Sequence, residues 1–342
     1  MNAHDGDELD LGADLDLTDR FEAERGRLKA IAYRMLGSLS EAEDAVQESW
    51  LRLSRAQAGH LTTDSPQELA AKEIRDAPPI RNLPAWLTTT VSRICLDMLR
   101  TRASRREAPT DLADLANVTD PHLVHTATPS PFAEPENEAV LADATGRALL
   151  VVLDRLTPAE RVAFVLHDAF AVPFDEIAPV VGRSPQTTKK LASRARQKVR
   201  GSADNDGPTP VPAAELARQR RIVATFLAAA RSGDLPAIIQ ILAPDVVRRA
   251  DPAALSPGRP LEARGADTVA KEIALFGQGA RFAEAALVNG TVGLLVAPHG
   301  RLRLALAMTI DAQTDRITAY DLIADPARLS RLHLAVLDTP EN

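Results

Sequence analysis

Between Thr157 and Arg200 the chain reads TPAERVAFVLHDAFAVPFDEIAPVVGRSPQTTKKLASRARQKVR, and its punctuation leaves little choice of local fold. Thr157-Pro158-Ala159-Glu160 is a capping box with proline at the first helical position, followed by Val162, Val165, Leu166 and Ala169 at helical spacing. A second short helix starts near Phe174, turns Ile177 and Val181 inward and stops at Gly182, a residue that tolerates a left-handed turn. Ser184 then caps a third helix with Pro185 at its first position, and Leu191, Ala195 and Val199 recur every fourth residue along one side. A short helix, a glycine turn and a further helix make a helix-turn-helix.

Residues 182–200 carry seven lysines and arginines and no acid, within 342 residues of formal net charge −7. A merely solvated helix normally mixes signs, because opposite charges three and four residues apart stabilise it. A helix of one sign suits a polyanion. The N-terminal part of such a helix enters the major groove, so Gln186, Thr187, Lys189 and Lys190 are expected to face DNA, with Arg194, Arg196 and Lys198 placed for phosphates. The overall acidity does not oppose this, since attraction to phosphate is screened beyond roughly 10 Å and local charge decides.

Charge elsewhere also comes in blocks. Residues 1–53 hold 13 acids and 6 bases, 81–106 hold 1 acid and 6 bases, and 107–147 hold 8 acids and 1 base. Two basic islands are thus separated by an acidic bridge. No run approaches the roughly 20 apolar residues of a membrane span, and the acidic start lacks the basic, then apolar, pattern of a signal peptide, so the expected location is the cytoplasm. Cys95 is the only cysteine, which excludes an internal disulfide and a thiolate zinc cluster; its plain reading is a small apolar residue on a helix. No metal site and no cofactor is expected.

The N-terminal half reads as three helices. RFEAERGRLKAIAYRMLGS turns Leu28, Ile31, Ala32 and Met35 inward and ends at Gly37. Ser40-Glu41-Ala42-Glu43 is a capping box opening SEAEDAVQESWLRL, with Val46, Trp50 and Leu53 on a packing face and Asp44, Gln47, Glu48 and Leu51 on a face free to bind. In NLPAWLTTTVSRICLDMLRTRASRR the stripe is Leu87, Val91, Ile94 and Met98, and Arg93, Arg100, Arg102, Arg105 and Arg106 form the other basic island.

These segments in order, LGSLSEAEDAVQESWLRL, LPAWLTTTVSRICLDMLR and the helix-turn-helix, resemble regions 2 and 4 of bacterial extracytoplasmic-function RNA polymerase sigma factors over roughly residues 20–200. The resemblance implies that the helix matching AEDAVQESW binds the polymerase clamp through Asp44, Gln47 and Glu48. It implies that LPAWLTTTVSRICLDMLR opens the minus-ten promoter element, with Trp86, Arg93 and Asp97 in its motif and Arg93 and Arg100 on DNA, while the helix-turn-helix reads the minus-thirty-five element. Trp86 is open to two readings, core residue or stacking platform. Two features depart from the family pattern: a longer connection, residues 54–80, with a helix expected over 66–75, and Thr188, which stands where an apolar residue is usual.

Past GSADNDGPTPVP the chain changes character. A helix over 213–231 turns Leu216, Val223, Phe226, Leu227 and Ala230 inward; another follows over 234–242; APDVVRRA, TVGLLVA and RITAYDLIA are strand-like; and RLRLALAMTI alternates, with Leu302, Leu304, Leu306, Met308 and Ile310 on one face. Helices followed by antiparallel strands make an α+β domain. It resembles a SnoaL-type, nuclear-transport-factor-like cone, the domain carried by one subgroup of these sigma factors, with Asp251 and the ending Ala324-Asp325-Pro326-Ala327-Arg328-Leu329 at the positions of that subgroup's motifs. Asp251, Asp325, Pro326 and Leu329 are its regulatory candidates.

The expected organisation is multidomain: two all-α sigma domains and an α+β cone. In residue numbers it is an acidic disordered tail (1–19), region 2 (20–106), an acidic linker (107–147), region 4 (148–202) and the SnoaL-like domain (213–335). Leu329, Leu332 and Val336, at helical intervals in 324–337, mark a docking helix. The expected function is promoter-specific initiation with core RNA polymerase, the cone modulating it in cis; the alternative is a ligand-sensing helix-turn-helix regulator, and a small ligand in the cone is kept open. Catalysis would have to draw on Asp251, His299, Asp311, Asp321 and His333, whose spacings enforce no proximity, so no catalytic residue is assigned.

Overall fold

A computed structural model describes residues 7–61, 80, 82–107, 146–201 and 211–337. The helices that come first are α1 (Asp7–Leu36), α2 (Leu39–Leu61), α3 (Leu83–Glu107), α4 (Arg147–Leu153), α5 (Pro158–Phe164), α6 (Phe174–Val181) and α7 (Pro185–Arg200). Packing divides the chain into two units, Met1–Glu107 with Pro158–Ala192, and Ala108–Thr157 with Ser193–Asn342. The division crosses the expected region 4 twice, before α5 and within α7.

In the first unit α1, α2 and α3 pack on one another, and α3 also packs on α5 and α6. Leu28, Ile31, Ala32, Met35, Val46, Leu53, Leu87, Val91 and Ile94 are buried as their spacing requires, while Met98 is only half-buried. The expected disordered tail is instead helical from Asp7 onward; the buried Leu17 and Phe21 carry the apolar stripe of α1 about three turns back from Leu28, and the Phe21 and Trp50 ring centroids lie 4.9 Å apart. The cap of α2 also differs. The Glu41 amide donates to the Ser38 hydroxyl at 3.5 Å, and buried Leu39 draws the helix start one residue ahead of Ser40. The expected helix over 66–75 and almost all of the acidic linker lie outside the described residues, although α3 runs to Glu107 and α4 takes up the chain at Arg147.

The second unit holds α4, the last turns of α7, and then α8 (Ala213–Ser232), α9 (Leu235–Ile241), β1 (Leu242–Ala250), β2 (Glu262–Arg264), α10 (Ala266–Phe276), β3 (Ala283–Val288), β4 (Thr291–Val296), β5 (Leu304–Ile310), β6 (Ile317–Ile323), α11 (Pro326–Arg331) and β7 (Leu334–Ala335). The sheet order is β2-β1-β6-β5-β4-β3-β7. The expected antiparallel set is instead mixed, since β1 runs parallel to β6. On one face Leu294, Met308 and Tyr320 share a core with Val223 and Phe226 of α8, Ile238 of α9 and Val269 of α10. The alternate residues Leu295, Ala305 and Ile323, side by side by register, are buried as well. Leu302 precedes β5. The expected docking helix over 324–337 is one short helix followed by a two-residue strand, because β7 pairs with β3 through Leu334 and Ala335.

Candidate nucleic-acid interface

Helix α7 is built by its own first turn. Gly182 sits at φ +67°, which lets Arg183 N donate to the Ala178 carbonyl at 3.1 Å and end α6. The Ser184 hydroxyl accepts from Thr187 N at 3.2 Å, the expected cap. Thr188 is 0% exposed, and its hydroxyl donates to the Ser184 carbonyl at 3.0 Å. The buried stripe is Thr188, Ala192, Ala195 and Val199, with Leu191 only half-buried. A threonine is therefore accommodated inside because its one polar group is satisfied within the same turn. Gln186, Thr187, Lys189, Lys190 and Arg194 are all exposed, and Arg196 is half-buried.

The loop ahead of α6 is locally stiff. Val165–Ala169 form a π-helical turn, Ala171 adopts φ +54°, and the His167 ring stacks on Phe174 with centroids 3.9 Å apart. The His167 Nδ1–H donates to the Val172 carbonyl at 3.1 Å. These contacts aim α6, and through it the turn into α7.

The other basic island divides by role. Arg93, Asp97 and Arg100 are exposed on one side of α3, with Arg100 and Asp97 paired at 3.6 Å. Arg102 turns inward, donating to the Leu36 carbonyl at 3.1 Å and to the Glu41 carboxylate, so it serves the bundle. Trp86 is half-buried, and the side chains of Arg105 and Arg106 lie outside the described residues. On α2, Asp44 and Gln47 are exposed, and the Glu48 carboxylate accepts from Arg52 at 2.9 Å. Leu51, on the same face, is 40% exposed, one of two large apolar side chains so exposed among the described residues. It belongs with the α2 surface, and its place among Asp44, Gln47 and Glu48 was the signal for it.

In the second unit Asp251, 5% exposed, accepts from Ala324 N at 3.2 Å and Asp325 N at 3.1 Å and pairs with the Arg328 guanidinium. Asp325 caps α11 through Arg328 N at 2.9 Å, Pro326 fills the first position, and Leu329 is buried. The four regulatory candidates thus form one joint between β1 and α11. Beyond it, Arg155 donates to the carbonyls of Leu329, at 2.6 Å, and Leu332, and burial lowers its own pKa from the usual guanidinium value. Ala148 N donates to Glu284 at 2.8 Å, and Val336 N donates to the Val199 carbonyl at 2.9 Å. Gly201, at φ +74°, has no room for a Cβ, which would stand 2.8 Å from that of Ala335. Sequence reasoning missed Arg155 and Glu284, whose partners lie far along the chain.

The catalytic alternatives are engaged elsewhere or scattered. Asp311 accepts from Gln313 N, Thr314 N and the Thr314 hydroxyl, bonds that hold its pKa below the usual carboxylate value. Asp321 lies on β6, exposed His333 follows α11, and the His299 side chain lies outside the described residues. A cleft of about 310 Å³ is lined by Ile239, Leu242, Pro244, Gly265, Ala266, Asp267, Thr268 and Arg316. Among the described residues no cluster of His, Cys, Asp and Glu could hold a metal ion, and no helix is long and apolar enough to cross a membrane.

Comparison with known proteins follows the same lines. The family model described as Sigma-70 region 2 matches residues 20–59, and the one described as Sigma-70, region 4 matches residues 146–199. The ECF RNA polymerase sigma factor SigJ of Mycobacterium tuberculosis (strain ATCC 25618 / H37Rv) is 38% identical over 287 residues, 81% of this chain and 80% of its own length. The probable ECF RNA polymerase sigma factor SigI of Mycobacterium tuberculosis (strain CDC 1551 / Oshkosh) is 31% identical over 314 residues, 91% of this chain and 94% of its own. The crystal structure of the Mycobacterium tuberculosis extracytoplasmic function sigma factor SigJ aligns at 30% identity and a TM-score of 0.39, covering 92% of this chain and 98% of that one.

Proposed function

The chain belongs to the extracytoplasmic-function RNA polymerase sigma factors, which bind core polymerase and promoter DNA, and from that membership we propose a division of labour among its parts. Helix α7 reads the minus-thirty-five element through Gln186, Thr187, Lys189 and Lys190, with Arg194 and Arg196 on phosphates. Helix α3 meets the minus-ten element through Arg93 and Arg100. Helix α2 presents Asp44, Gln47 and Glu48, with Leu51, to the polymerase. The observation that carries this reading is the capped helix α7, whose outward side holds bases and no acid.

The C-terminal domain modulates initiation in cis. What supports this is that Arg155, Glu284 and the Val199–Val336 bond tie segments of region 4 into the same packing unit as the sheet. The reading assigns the domain no ligand and no catalytic group.

Alanine at Lys189, Lys190, Arg194 and Arg196 together tests the assignment of α7. Taking away one cation from a phosphate should lower the slope of log affinity against log salt by roughly 1, and taking away one good hydrogen-bonding partner of a base should relax sequence preference by roughly 1–3 kcal/mol. A variant that keeps both the wild-type slope and the wild-type preference would remove α7 from the promoter.

A further inference from the structure

The C-terminal domain holds a cleft that none of these roles uses. It has a volume of about 310 Å³ and is formed within the second unit by the end of α9, the first residues of β1 and the lead into α10. Its apolar wall is half-buried Ile239, buried Leu242 and exposed Pro244. Gly265 N donates to the Val246 carbonyl at 2.9 Å, and the glycine's φ of +89° turns the chain from β2 into α10, which brings Ala266 and Asp267 to the cleft. Arg316 arrives from the turn before β6, and it stands beside the wall because Ile317 is in register with Leu242. Arg316 is the one cation on the lining, and it is half-buried. Among the described residues its guanidinium makes no hydrogen bond and no ion pair. The acids of its own turn are engaged elsewhere: Asp315 takes the Arg218 guanidinium, and the Asp311 carboxylate accepts from Gln313 N, Thr314 N and the Thr314 hydroxyl. A half-buried guanidinium that has shed part of its hydration without gaining a counter-charge favours an anion from outside.

We propose that this cleft binds a small amphipathic carboxylate, with its charge on Arg316 and its apolar body along Ile239, Leu242 and Pro244. The inference concerns the C-terminal domain alone and does not depend on the sigma-factor reading. Size, charge and polarity each narrow the ligand. A water claims about 30 Å³ in the liquid, so the cleft has room for about ten heavy atoms, and its volume stands at the lower limit of ordinary ligand sites, roughly 300–1,000 Å³. The lining carries one cation and, in exposed Asp267, one acid. A single negative charge therefore suits it, and a dianion such as a phosphate ester is opposed by Asp267. A carboxylate matches the guanidinium, which can offer it two parallel N–H donors. A short hydrocarbon tail laid on Ile239 and Leu242 leaves water, which supplies the rest of the attraction. Octanoate, with about ten heavy atoms, has all three properties.

The test titrates the isotope-labelled full chain with octanoate, acetate and octylammonium and follows the backbone amides by NMR. Octanoate should give saturable shifts centred on Gly265, Ala266, Thr268 and Arg316. Acetate, which has the charge without the tail, and octylammonium, which has the tail with the opposite charge, should leave those amides in place at the same concentration. Arg316→Gln should melt with the parent, since the side chain it replaces is half-buried and unpaired among the described residues. It should weaken octanoate binding about tenfold or more, the worth of a hydrogen bond to a charged group. Octanoate shifts that do not saturate by about 10 mM, the affinity ten atoms reach at the poor end of ordinary ligand efficiency, overturn the proposal. So do shifts centred elsewhere on the domain, equal shifts with octylammonium or acetate, or a folded Arg316→Gln chain that binds as tightly as the parent. The titration of the parent chain decides the matter even where the variant fails to fold.

Discussion

Arg248 and Glu272 show what a single pair does inside the cone. Arg248 is 1% exposed, its guanidinium meets Glu272 at 2.8 and 3.1 Å, and Nη1 donates to the Pro260 carbonyl at 2.9 Å. Tyr320 stands opposite it in register, and burial raises that hydroxyl's pKa above the usual phenol range. Removing one partner leaves a buried charge without compensation, so Glu272→Ala should destabilise the protein by about 3–5 kcal/mol in chemical denaturation. A loss below about 1 kcal/mol would mean that water reaches the guanidinium. Glu215 behaves differently because it is only half-buried. Hydrogen bonds from Arg218 and Gln219 hold its carboxyl at about 2 against an ordinary 4.5. A depressed carboxylate stabilises the fold above its unfolded pKa and loses that contribution as pH falls through the folded value. Carboxyl NMR should therefore find Glu215 still ionised at about pH 3, and Arg218→Ala should return its midpoint toward 4.5.

At the scale of elements, charge reversal on α2 is the direct test of its outward face. Asp44→Lys with Glu48→Lys should weaken binding to core polymerase while leaving melting nearly unchanged, since neither side chain is buried; unchanged affinity would remove α2 from the polymerase surface. How much was legible follows from how local each signal is. Helices α5, α6 and α7 were readable because the first-position prolines of α5 and α7, the Ser184 cap and the glycine stop after α6 lie within a few residues of what they control, and the outward residues of α7 stand where a 3.6-residue period puts them. The parallel pairing of β1 with β6 and the two-residue β7 were not readable, since each depends on a strand far along the chain. The same holds for α4, where Glu284 reaches Ala148 across 136 positions. Arg155 grips the last carbonyls of α11 from a still greater remove, and Arg155→Ala should loosen that helix. Amide exchange at Leu332 and Val336 should speed up while the core strands stay protected; unchanged exchange there would make the grip incidental.

For the whole molecule, the packing units predict what truncation does. Leu150, Val151, Val152 and Leu153 are buried where α4 packs on β3 and β7, so a chain ending at Gly201 uncovers them and leaves region 4 without a surface it packs on. Fully burying such side chains is worth about 1.5–3 kcal/mol each, so the truncated chain should bind promoter DNA with altered affinity and associate more readily. The measurement that tests the account most directly is promoter-specific run-off transcription with purified core polymerase, comparing the full chain with the chain ending at Gly201. The account predicts specific transcripts that depend on adding the full chain, and a changed yield from the truncated one. A full chain that yields no specific transcript at saturation, or a truncated chain that matches it at every concentration, would contradict it.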